Sequence, residues 1–234
     1  MTALKIAVPS KGRLQEQSFE WFANHGITLQ RTGSGREYAG QVLGVENVEL
    51  VLLSAGEIPR ELASGRIHMG VTGQDLVSEK IPAWERQIEQ LATMGFGHAD
   101  LILAVPACWV DVNNIDDFDA VAAAFRKTHG MRLRIATKYH NLVREYLRAE
   151  GVADYQLVDS QGATEGTIKN RTAEAIADIT STGDTLKANH LKILDGPPIL
   201  ASQATLFVSR TAPWGDAAKQ ALGAIKTKIE AANA

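Results

Sequence analysis

The sequence predicts an α/β protein in which the strands of a sheet are joined by crossover helices. Short runs rich in β-forming residues alternate along the chain with windows of helical periodicity. The run VELVLLS at 48–54 is mostly apolar, as is typical of a parallel strand buried on both faces. These two observations define the fold class.

The predicted strands are spaced so that a helix fits between most of them. LKIAV at 4–8 is the first strand and leads through PSKG into a helix. The others are predicted at 48–54, 68–72, 100–106, 133–137, 155–159 and 175–179, and in the later runs LKIL and ATLFVS.

Helices are predicted where apolar residues recur at helical spacing. Leu14, Ser18, Trp21 and Phe22 share one face of the first helix, and Gly26 stands where a C-terminal cap belongs. A short helix is expected around EIPRELAS. Later helices are marked by Phe118, Val121, Ala122 and Phe125, by Leu142, Val143, Tyr146 and Leu147, and, after Pro213, by Leu222, Ile225 and Ile229.

The segment GFGH at 95–98 is the best candidate for a hinge between two lobes. A second crossing near residues 187–191 would return the chain to the first lobe. The predicted division is therefore residues 1–97 plus 190–234 for lobe I and residues 98–189 for lobe II. It rests on topology, because the composition changes little along the chain.

The composition excludes several classes of protein. Hydrophobic residues make up 45% and charged residues 22% of 234 residues, which is ordinary for a globular protein. A formal net charge of -3 provides no basic surface for nucleic acid, so no nucleic-acid partner is expected. The single cysteine, Cys108, fits a reducing compartment, and no run reaches the ~20 apolar residues of a membrane helix. We therefore expect a cytoplasmic protein without membrane contact.

Several familiar catalytic motifs are missing from the sequence. The histidines show no HExxH spacing, and neither a GxSxG nucleophile motif nor a GxxxxGK[ST] phosphate loop occurs. Gly33-Ser34-Gly35 resembles the start of a dinucleotide-binding loop. A surface turn is the better interpretation, because the third glycine and a preceding strand are missing.

The segment Ser181-Thr182-Gly183-Asp184-Thr185 follows the predicted strand 175–179 and leads into a helix, an arrangement suited to holding a phosphate. Gly183 lets the backbone approach an anion, the next amides lie at a helix N-terminus, and the hydroxyl groups add donors. Asp178 lies about one phosphate-to-ribose distance away, where a carboxylate accepts hydrogen bonds from sugar hydroxyls. The alternative is an N-capped helix with Thr or Asp as cap. Asp184 has no role in the phosphate interpretation and should point away from the anion.

The pattern Asp-x-x-x-Thr-Gly-x-Thr resembles the loop by which phosphoribosyltransferases hold 5-phosphoribosyl-1-diphosphate (PRPP). The fuller string DITSTGDTLKANHL at 178–191 is most similar to the ATP phosphoribosyltransferases of histidine biosynthesis. Five further segments resemble patterns of that family in the same order: IAVPSKGRL (6–14), EIPRELASGRIHMGVTGQDLVSE (57–79), MGFGHADLILAVP (94–106), RIATKYHNLVREYL (134–147) and QGATE (161–165).

This resemblance implies two α/β lobes of the periplasmic-binding-protein type II fold, with the active site in the cleft between them. It also implies transfer of the phosphoribosyl group of PRPP to N1 of ATP, with release of pyrophosphate and a requirement for Mg²⁺. That chemistry builds positive charge on the ribose carbon and negative charge on the leaving group. Cations and amides around the diphosphate and carboxylates near the ribose are what it needs.

The resemblance implies roles for the residues at the matched positions. The five residues from Ser181 to Thr185 would hold the 5′-phosphate of PRPP. Asp178 and Glu165 would be the carboxylates that face the ribose hydroxyls or bind the metal ion. The other candidates would contact ATP or the diphosphate, and these are Lys11, Arg13, Gly73, Thr137, Lys138 and Tyr139.

Each carried-over residue also has an ordinary structural explanation. The alternatives are a solvated helix start for Glu165, a solvated helix N-terminus for Lys11 and Arg13, core packing for Tyr139, and a helix cap for Gly73 with Asp75.

Two positions depart from the family's pattern. Many members have an arginine a few residues before Asp-Ile-Pro, where it would contact pyrophosphate, and this chain has Ser54 there. We expect Arg36 or Arg60 to substitute for it. His190 replaces a glycine of the family's Asn-Gly-Leu, and no role is assigned to it.

The family's long form carries a regulatory domain after the catalytic one, whereas this sequence ends after one helix and resembles the short form. The resemblance therefore implies a homodimer that associates with a separate regulatory subunit similar to histidyl-tRNA synthetase. Two alternatives stay open from the sequence. One is a PRPP-dependent transferase acting on another base, and the other is a non-enzymatic two-lobed domain that senses or binds an anion.

Overall fold

The computed structural model describes residues 3–32, 39–160 and 162–232. The strands are β1 Leu4–Pro9, β2 Thr28–Arg31, β3 Ala39–Leu43, β4 Val48–Leu53, β5 Met69–Gly73, β6 Ile88–Thr93, β7 Ala99–Pro106, β8 Leu133–Thr137, β9 Tyr155–Asp159, β10 Ala175–Thr180, β11 Leu191–Ile193, β12 Leu200–Ser202 and β13 Ala204–Ser209. The helices are α1 Arg13–Asn24, α2 Ile58–Ala63, α3 Gln74–Lys80, α4 Ile115–His129, α5 His140–Ala149, α6 Gly166–Lys169, α7 Asp184–Ala188 and α8 Asp216–Ala232, with a 3₁₀ turn at Trp84–Arg86.

The chain divides into two compact units, a first unit of residues 1–97 with 203–234 and a second unit of residues 98–202. The chain returns to the first unit at Gln203, later than the residue 190 predicted from the sequence. The reason is strand pairing, because β11 and β12 both pair with β7 in the sheet of the second unit.

The sheet of the first unit has the order β2-β3-β4-β1-β5-β13-β6 within the described residues. β1 is parallel to β4 and β5, whereas β13 is antiparallel to both β5 and β6, and β3 is antiparallel to β2 and β4. The carboxyl ends of β1, β4 and β5 therefore lie at one edge of this sheet. The sequence patterns did not indicate β2, β3 or β6; only one residue of β2 is buried.

The sheet of the second unit has the order β11-β7-β10-β8-β9, with β12 also paired to β7. β8 is parallel to β9 and to β10, and β7 is antiparallel to β10. The carboxyl ends of β8, β9 and β10 therefore share an edge. Each of the two sheets thus combines a group of parallel strands with antiparallel strands beside them.

Both sheets are covered by helices on two faces, which explains their apolar central strands. Ile6 of β1 packs with residues of α1 and α8, whereas the next residue, Ala7, packs with residues of α2 and α3. In β7, Leu103 packs with residues of α4 and α5, and Ala104 packs on the opposite face near α7.

The first helix ends as its sequence predicts. His25 is the C-terminal cap of α1, and Gly26 follows it with a φ of 68°. The Gly26 amide donates to the Ala23 carbonyl and the Ile27 amide to the Phe22 carbonyl, at 2.9 Å each. These two bonds form a Schellman motif, in which glycine provides the left-handed residue.

Candidate active site

Parallel pairing brings several sequence-predicted residues to one edge of the second sheet. Ala177 of β10 lies beside Thr137 of β8, and Thr137 lies beside Asp159 of β9. The residues that follow, Lys138 and Asp178, are consequently neighbours at the carboxyl edge. The Lys138 Nζ lies 3.4 Å from Asp178 Oδ1.

The predicted phosphate loop follows β10 at this edge. Gly183 adopts the left-handed conformation, with φ 77° and ψ 1°, and its amide donates to Thr180 Oγ1 at 2.9 Å. Glycine is favoured there by its backbone angle, since an added Cβ would meet only Ile193 Cδ1, at 3.8 Å. The helix that follows has five residues, so its dipole contributes little. The Thr185 amide and the hydroxyl groups of the loop are the donors that could bind an anion.

The side chains of the loop are largely exposed and engage one another. Thr182 Oγ1 donates to Asp184 Oδ2 at 2.8 Å, and Ser181 Oγ donates to the His98 carbonyl at 2.9 Å. Ser181, Thr182, Asp184 and Thr185 are all exposed. The contact with Thr182 gives Asp184 a structural explanation, which the sequence pattern did not provide.

Asp178 is held in place by a small network of hydrogen bonds. Thr164 Oγ1 donates to Asp178 Oδ2 at 2.6 Å, and the Ile179 amide donates to Oδ1 at 2.8 Å. Ser160 Oγ donates in turn to Thr164 Oγ1 at 3.1 Å, and both hydroxyl residues are buried. The sequence patterns did not single out Thr164 or Ser160. The only available signal was that Thr164 directly precedes Glu165.

Glu165 lies in the helical region at the start of α6 and is half-exposed. Its side chain forms no capping hydrogen bond with that helix. Among the described residues there is no group of three or more His, Cys, Asp or Glu side chains placed to hold a metal ion.

The three residues at the end of β8 differ in their exposure. Thr137 is fully buried, and its Oγ1 accepts from the Tyr139 amide at 2.9 Å. Tyr139 is 1% exposed and belongs to the apolar core of the second unit. Lys138 alone of the three presents its side chain at the edge, 39% exposed, with its Nζ 5.2 Å from the centre of the Tyr139 ring. Thr137 and Tyr139 thus have structural functions in the turn that positions Lys138.

At the corresponding edge of the first sheet, the loop after β1 presents cations. Lys11 and Arg13 are both exposed, and Gly12 between them has φ 78° and ψ -177°. Arg31 of the edge strand β2 donates from Nη2 to the Ser10 carbonyl and, at 2.9 Å, to Gln15 Oε1. Arg31 is a third cation beside this loop, and nothing in the linear sequence pointed to it.

The loop after β4 carries the departure at Ser54. The Ser54 amide and hydroxyl donate to Glu57 Oε2 at 3.1 and 2.7 Å, and these bonds hold the Glu57 pKa below its usual value. Lys80 Nζ donates to the Gly56 carbonyl. Partial burial lowers the Lys80 pKa, and the charge of Arg60 lowers it further. Two cations therefore stand near this loop.

Gly73 and Arg36 are also among the residues predicted for the site. Gly73 ends β5 and is the N-cap of α3, whose first turn contains the buried Asp75. Arg36 lies outside the described residues.

Comparison with known proteins identifies the family. A family model described as ATP phosphoribosyltransferase matches residues 54–231. The chain belongs to the ATP phosphoribosyltransferase family. An ATP phosphoribosyltransferase of Cereibacter sphaeroides is 68% identical over 215 residues, which cover 92% of this chain and 91% of that protein. The enzyme of a Bradyrhizobium strain is 47% identical over 228 residues, covering 97% of this chain and 70% of its relative.

Solved structures share the fold at lower identity. A chain of the ATP phosphoribosyltransferase HisG:HisZ complex of Thermotoga maritima superposes with a TM-score of 0.70 at 23% identity, covering 98% of this chain and 97% of that one. A protein bound to L-arginine, Tv2483, gives a TM-score of 0.56 at 13% identity, with 99% and 85% coverage. A histidine kinase sensor domain similar to periplasmic binding proteins gives 0.53 at 12%. The type II periplasmic-binding-protein fold expected from the sequence is confirmed.

Family membership establishes the reaction. The chain is a phosphoribosyltransferase that joins PRPP to N1 of ATP and releases pyrophosphate, the first step of histidine biosynthesis. A sensor domain shares the fold of this chain at 12% identity, whereas a named ATP phosphoribosyltransferase is 68% identical to it in sequence. The sequence therefore favours the transferase over the sensor-domain alternative. The family needs a metal ion to bind PRPP. In the described ranges, no helix has the length and apolar character needed to span a bilayer.

Proposed function

We propose that the chain binds PRPP at the carboxyl edge of β8, β9 and β10, with the 5′-phosphate in the loop from Ser181 to Thr185. The observation that supports this most is the contact between Lys138 and Asp178 beside that loop. The phosphate needs hydrogen-bond donors, the ribose needs a carboxylate, and the diphosphate needs a cation. This edge offers all three within one unit.

The loop supplies the phosphate donors in this proposal. The amides of Thr185 and Leu186 lie in the first turn of α7, where N–H groups have no partner within the helix. The exposed hydroxyl group of Thr185 adds a donor, and so would those of Ser181 and Thr182 on release from the His98 carbonyl and Asp184. The Thr182 hydroxyl would exchange its present acceptor, Asp184, for a phosphate oxygen, and charge repulsion would turn Asp184 away from the anion.

Asp178 is the carboxylate that faces the ribose hydroxyls. Thr164 and the Ile179 amide fix the orientation of its carboxylate, and the Lys138 ammonium offsets its charge. A fixed carboxylate stabilises the positive charge that builds on the ribose carbon as pyrophosphate leaves. Lys138, exposed at the same edge, is suited to the negative charge on the leaving group.

We propose Mg²⁺ as the metal ion. Mg²⁺ is usually held by one or two carboxylates together with substrate phosphates and water. The donors here fit that description, because Asp178 and the half-exposed Glu165 are oxygen ligands without a larger acidic cluster in the part of the chain that the structure describes. The bound ion would neutralise the diphosphate, while Asp178 and Glu165 would hold it against the ribose.

Lys11 and Arg13 are proposed to contact the nucleotide phosphates or the diphosphate. Two cations at the start of α1 are unfavourable on their own, and an anion there would relieve the repulsion. Gly73 and the 137–139 turn are proposed to contribute to binding of ATP or the diphosphate, in the case of Thr137 and Tyr139 by holding Lys138. ATP and PRPP are cytoplasmic metabolites, so we propose a cytoplasmic location.

The family's arginine that would contact pyrophosphate is replaced by Ser54 in this chain, and we propose that Arg60 or Arg36 makes this contact. Lys80 joins them as a third candidate, because its ammonium reaches the Gly56 carbonyl two residues beyond Ser54. The test is the steady-state rate and the PRPP Michaelis constant of three alanine variants, at Arg36, Arg60 and Lys80. The proposal is wrong if all three variants keep both constants, and Arg86→Ala, at an exposed site in the 3₁₀ turn, is the control.

We also propose a homodimer that assembles with a HisZ-type regulatory subunit similar to histidyl-tRNA synthetase. The support is the Thermotoga maritima chain, which was solved in a HisG:HisZ complex and is covered over 97% of its length. Light scattering should give a dimer for this chain alone and a larger particle when the subunit is added. Absence of any association between the purified pair would count against the proposal.

The PRPP site is tested most directly with Thr182→Ala. Loss of one hydrogen bond to a charged phosphate should raise the PRPP Michaelis constant by about 10- to 100-fold, while the constant for ATP stays close to that of the unaltered chain. Thr172→Ala removes an exposed hydroxyl of the same unit and should change neither constant. Equal losses for PRPP and ATP would mean that Thr182 serves only the structure of the loop, through its hydrogen bond with Asp184.

A further inference from the structure

A groove of about 620 Å³ lies beside helix α5 in the second unit. It is bounded by α5, by the 151–153 turn that follows this helix and by the edge strand β9. None of the residues assigned above to PRPP or ATP lines it. The groove is therefore separate from the residues proposed to take part in the transferase reaction.

The groove is lined by cations on one side. His140, Arg144 and Arg148 follow one another at four-residue spacing and so lie along one side of α5. Arg132, just before β8, adds a third guanidinium group. No carboxylate belongs to its described lining.

These arginines differ from two others in the same unit, Arg126 and Arg134, which have acidic partners. Arg126 pairs with Asp154, and Arg134 pairs with Glu174. Across residues 3–32, 39–160 and 162–232, no carboxylate lies within 4.0 Å of Arg132, Arg144 or Arg148. Like charges four residues apart destabilise a helix, so the spacing of Arg144 and Arg148 is unfavourable unless an anion lies between them.

The surroundings of the cations define the class of anion. Arginine presents a planar fork that binds two phosphate oxygens at once. The opposite wall includes Tyr155 and Leu157, both half-buried, which offer an apolar surface and an aromatic ring to a base. The volume is within the range of about 300–1,000 Å³ of small-molecule sites and would accept a whole nucleotide.

We propose that the groove between α5 and β9 is a second, non-substrate site that binds a nucleoside di- or triphosphate. Its phosphates contact Arg132, Arg144 and Arg148, and its base lies against Tyr155. At one end the groove reaches His140, which directly follows Tyr139 and has its Nε2 3.3 Å from Asp159 Oδ1. The site is independent of the PRPP site proposed above and stands or falls separately from it.

The test is photolabelling of the full chain with 8-azido-ATP, followed by peptide mapping. The unaltered chain should be labelled within residues 140–157 as well as at the substrate site. Arg144→Glu/Arg148→Glu should weaken labelling within 140–157 by about tenfold or more, because two charge-assisted contacts are lost. Labelling there should also fall as salt is added.

Two control variants and one kinetic measurement separate binding at this site from general charge effects and from damage to the active site. Lys127→Glu/Arg86→Glu makes the same change in net charge at exposed positions outside the groove and should keep the label. Arg144→Lys/Arg148→Lys preserves charge without the fork and should bind with intermediate affinity. The glutamate variant should keep the kcat and the PRPP Michaelis constant of the unaltered chain.

Two results would overturn the proposal. The first is label confined to peptides of the substrate site. The second is equal labelling within 140–157 in the glutamate variant and the unaltered chain. If the variant that keeps its label also no longer binds the regulatory subunit, the groove belongs to a protein partner.

Discussion

Gly12 shows how a single residue controls the cationic loop after β1. Its φ of 78° with ψ of -177° is a combination that only glycine adopts without strain. An added Cβ would meet no atom within 4 Å, so the requirement comes from the backbone and not from packing. The direction in which the side chains of Lys11 and Arg13 leave the backbone therefore depends on this glycine.

We predict that Gly12→Ala lowers kcat/KM by more than tenfold, because a strain of about 1–3 kcal/mol would be relieved by rearrangement of the loop. The measurement is steady-state kinetics together with the free energy of unfolding. Gly130→Ala is the matched control, since Gly130 has φ 68° and equally open surroundings at the end of α4. That variant should lose stability and keep its activity; loss of activity in both would indicate a general folding defect.

At the scale of elements, the end of α7 explains one departure from the family's pattern. His190 has a φ of 56°, and its amide donates to the Lys187 carbonyl at 3.0 Å. It thus occupies the left-handed position that follows a helix cap, where glycine is usual. The glycine of the family's pattern has a backbone explanation, and His190 adopts the same conformation at a cost.

We predict that His190→Gly raises the free energy of unfolding by up to about 1 kcal/mol. The left-handed conformation costs a side-chain-bearing residue about 1–2 kcal/mol, and glycine's greater chain entropy cancels part of the gain. Gly151→Ala tests the reverse change at the equivalent position after α5, where φ is 78°, and should destabilise the chain. Urea titration measures both. Destabilisation by His190→Gly would show that the imidazole has contacts that matter.

At the scale of the whole molecule, one buried histidine links distant parts of the first unit. His68 is 1% exposed, and its Nδ1 accepts from the Lys5 amide at 3.1 Å. Nε2 must then carry the proton that is donated to the Pro213 carbonyl at 3.3 Å. Burial lowers the pKa of His68 below its ordinary value, so the ring is neutral in the folded protein.

This neutral ring predicts a loss of stability in mild acid. The unfolded chain binds a proton at this histidine at a higher pH than the folded chain does, so the free energy of unfolding falls as pH drops below about 6.5. The slope contributed by His68 is at most about 1.4 kcal/mol per pH unit. His68→Gln should lose this pH dependence below about pH 6.5. An unchanged profile would mean that another group is responsible.

Acidic groups make the free energy of unfolding depend on pH at lower pH values than His68 does. The Arg134 guanidinium holds the pKa of Glu174 below its usual value, against the effect of burial. Stability from such a pair is present above the ordinary glutamate pKa and is lost as the pH falls below it. The two windows therefore separate His68 from the carboxylates in one titration of stability against pH.

Local patterns were enough to predict most elements and the glycine turn of the loop that follows β10. Helical spacing and Gly26 predicted where α1 ends, and Gly183 was predicted to let the backbone turn towards an anion. These features depend on the conformation of a few adjacent residues, and such preferences are written into short stretches of sequence. The resemblance of 178–191 to a phosphoribosyltransferase loop then led to the family.

The contacts around Asp178, the burial of Thr137 and Tyr139, the cation Arg31 and the groove beside α5 were decided by tertiary structure alone. Lys138 meets Asp178 across 40 positions because β8 and β10 pair in parallel, and Thr164 reaches the same carboxylate from a loop. Pairing of β11 and β12 with β7 likewise set where the second unit ends. The sequence by itself determined where most helices, strands and glycine turns form. Strand pairing and burial determined which of them meet, since such contacts depend on residues far apart in the chain.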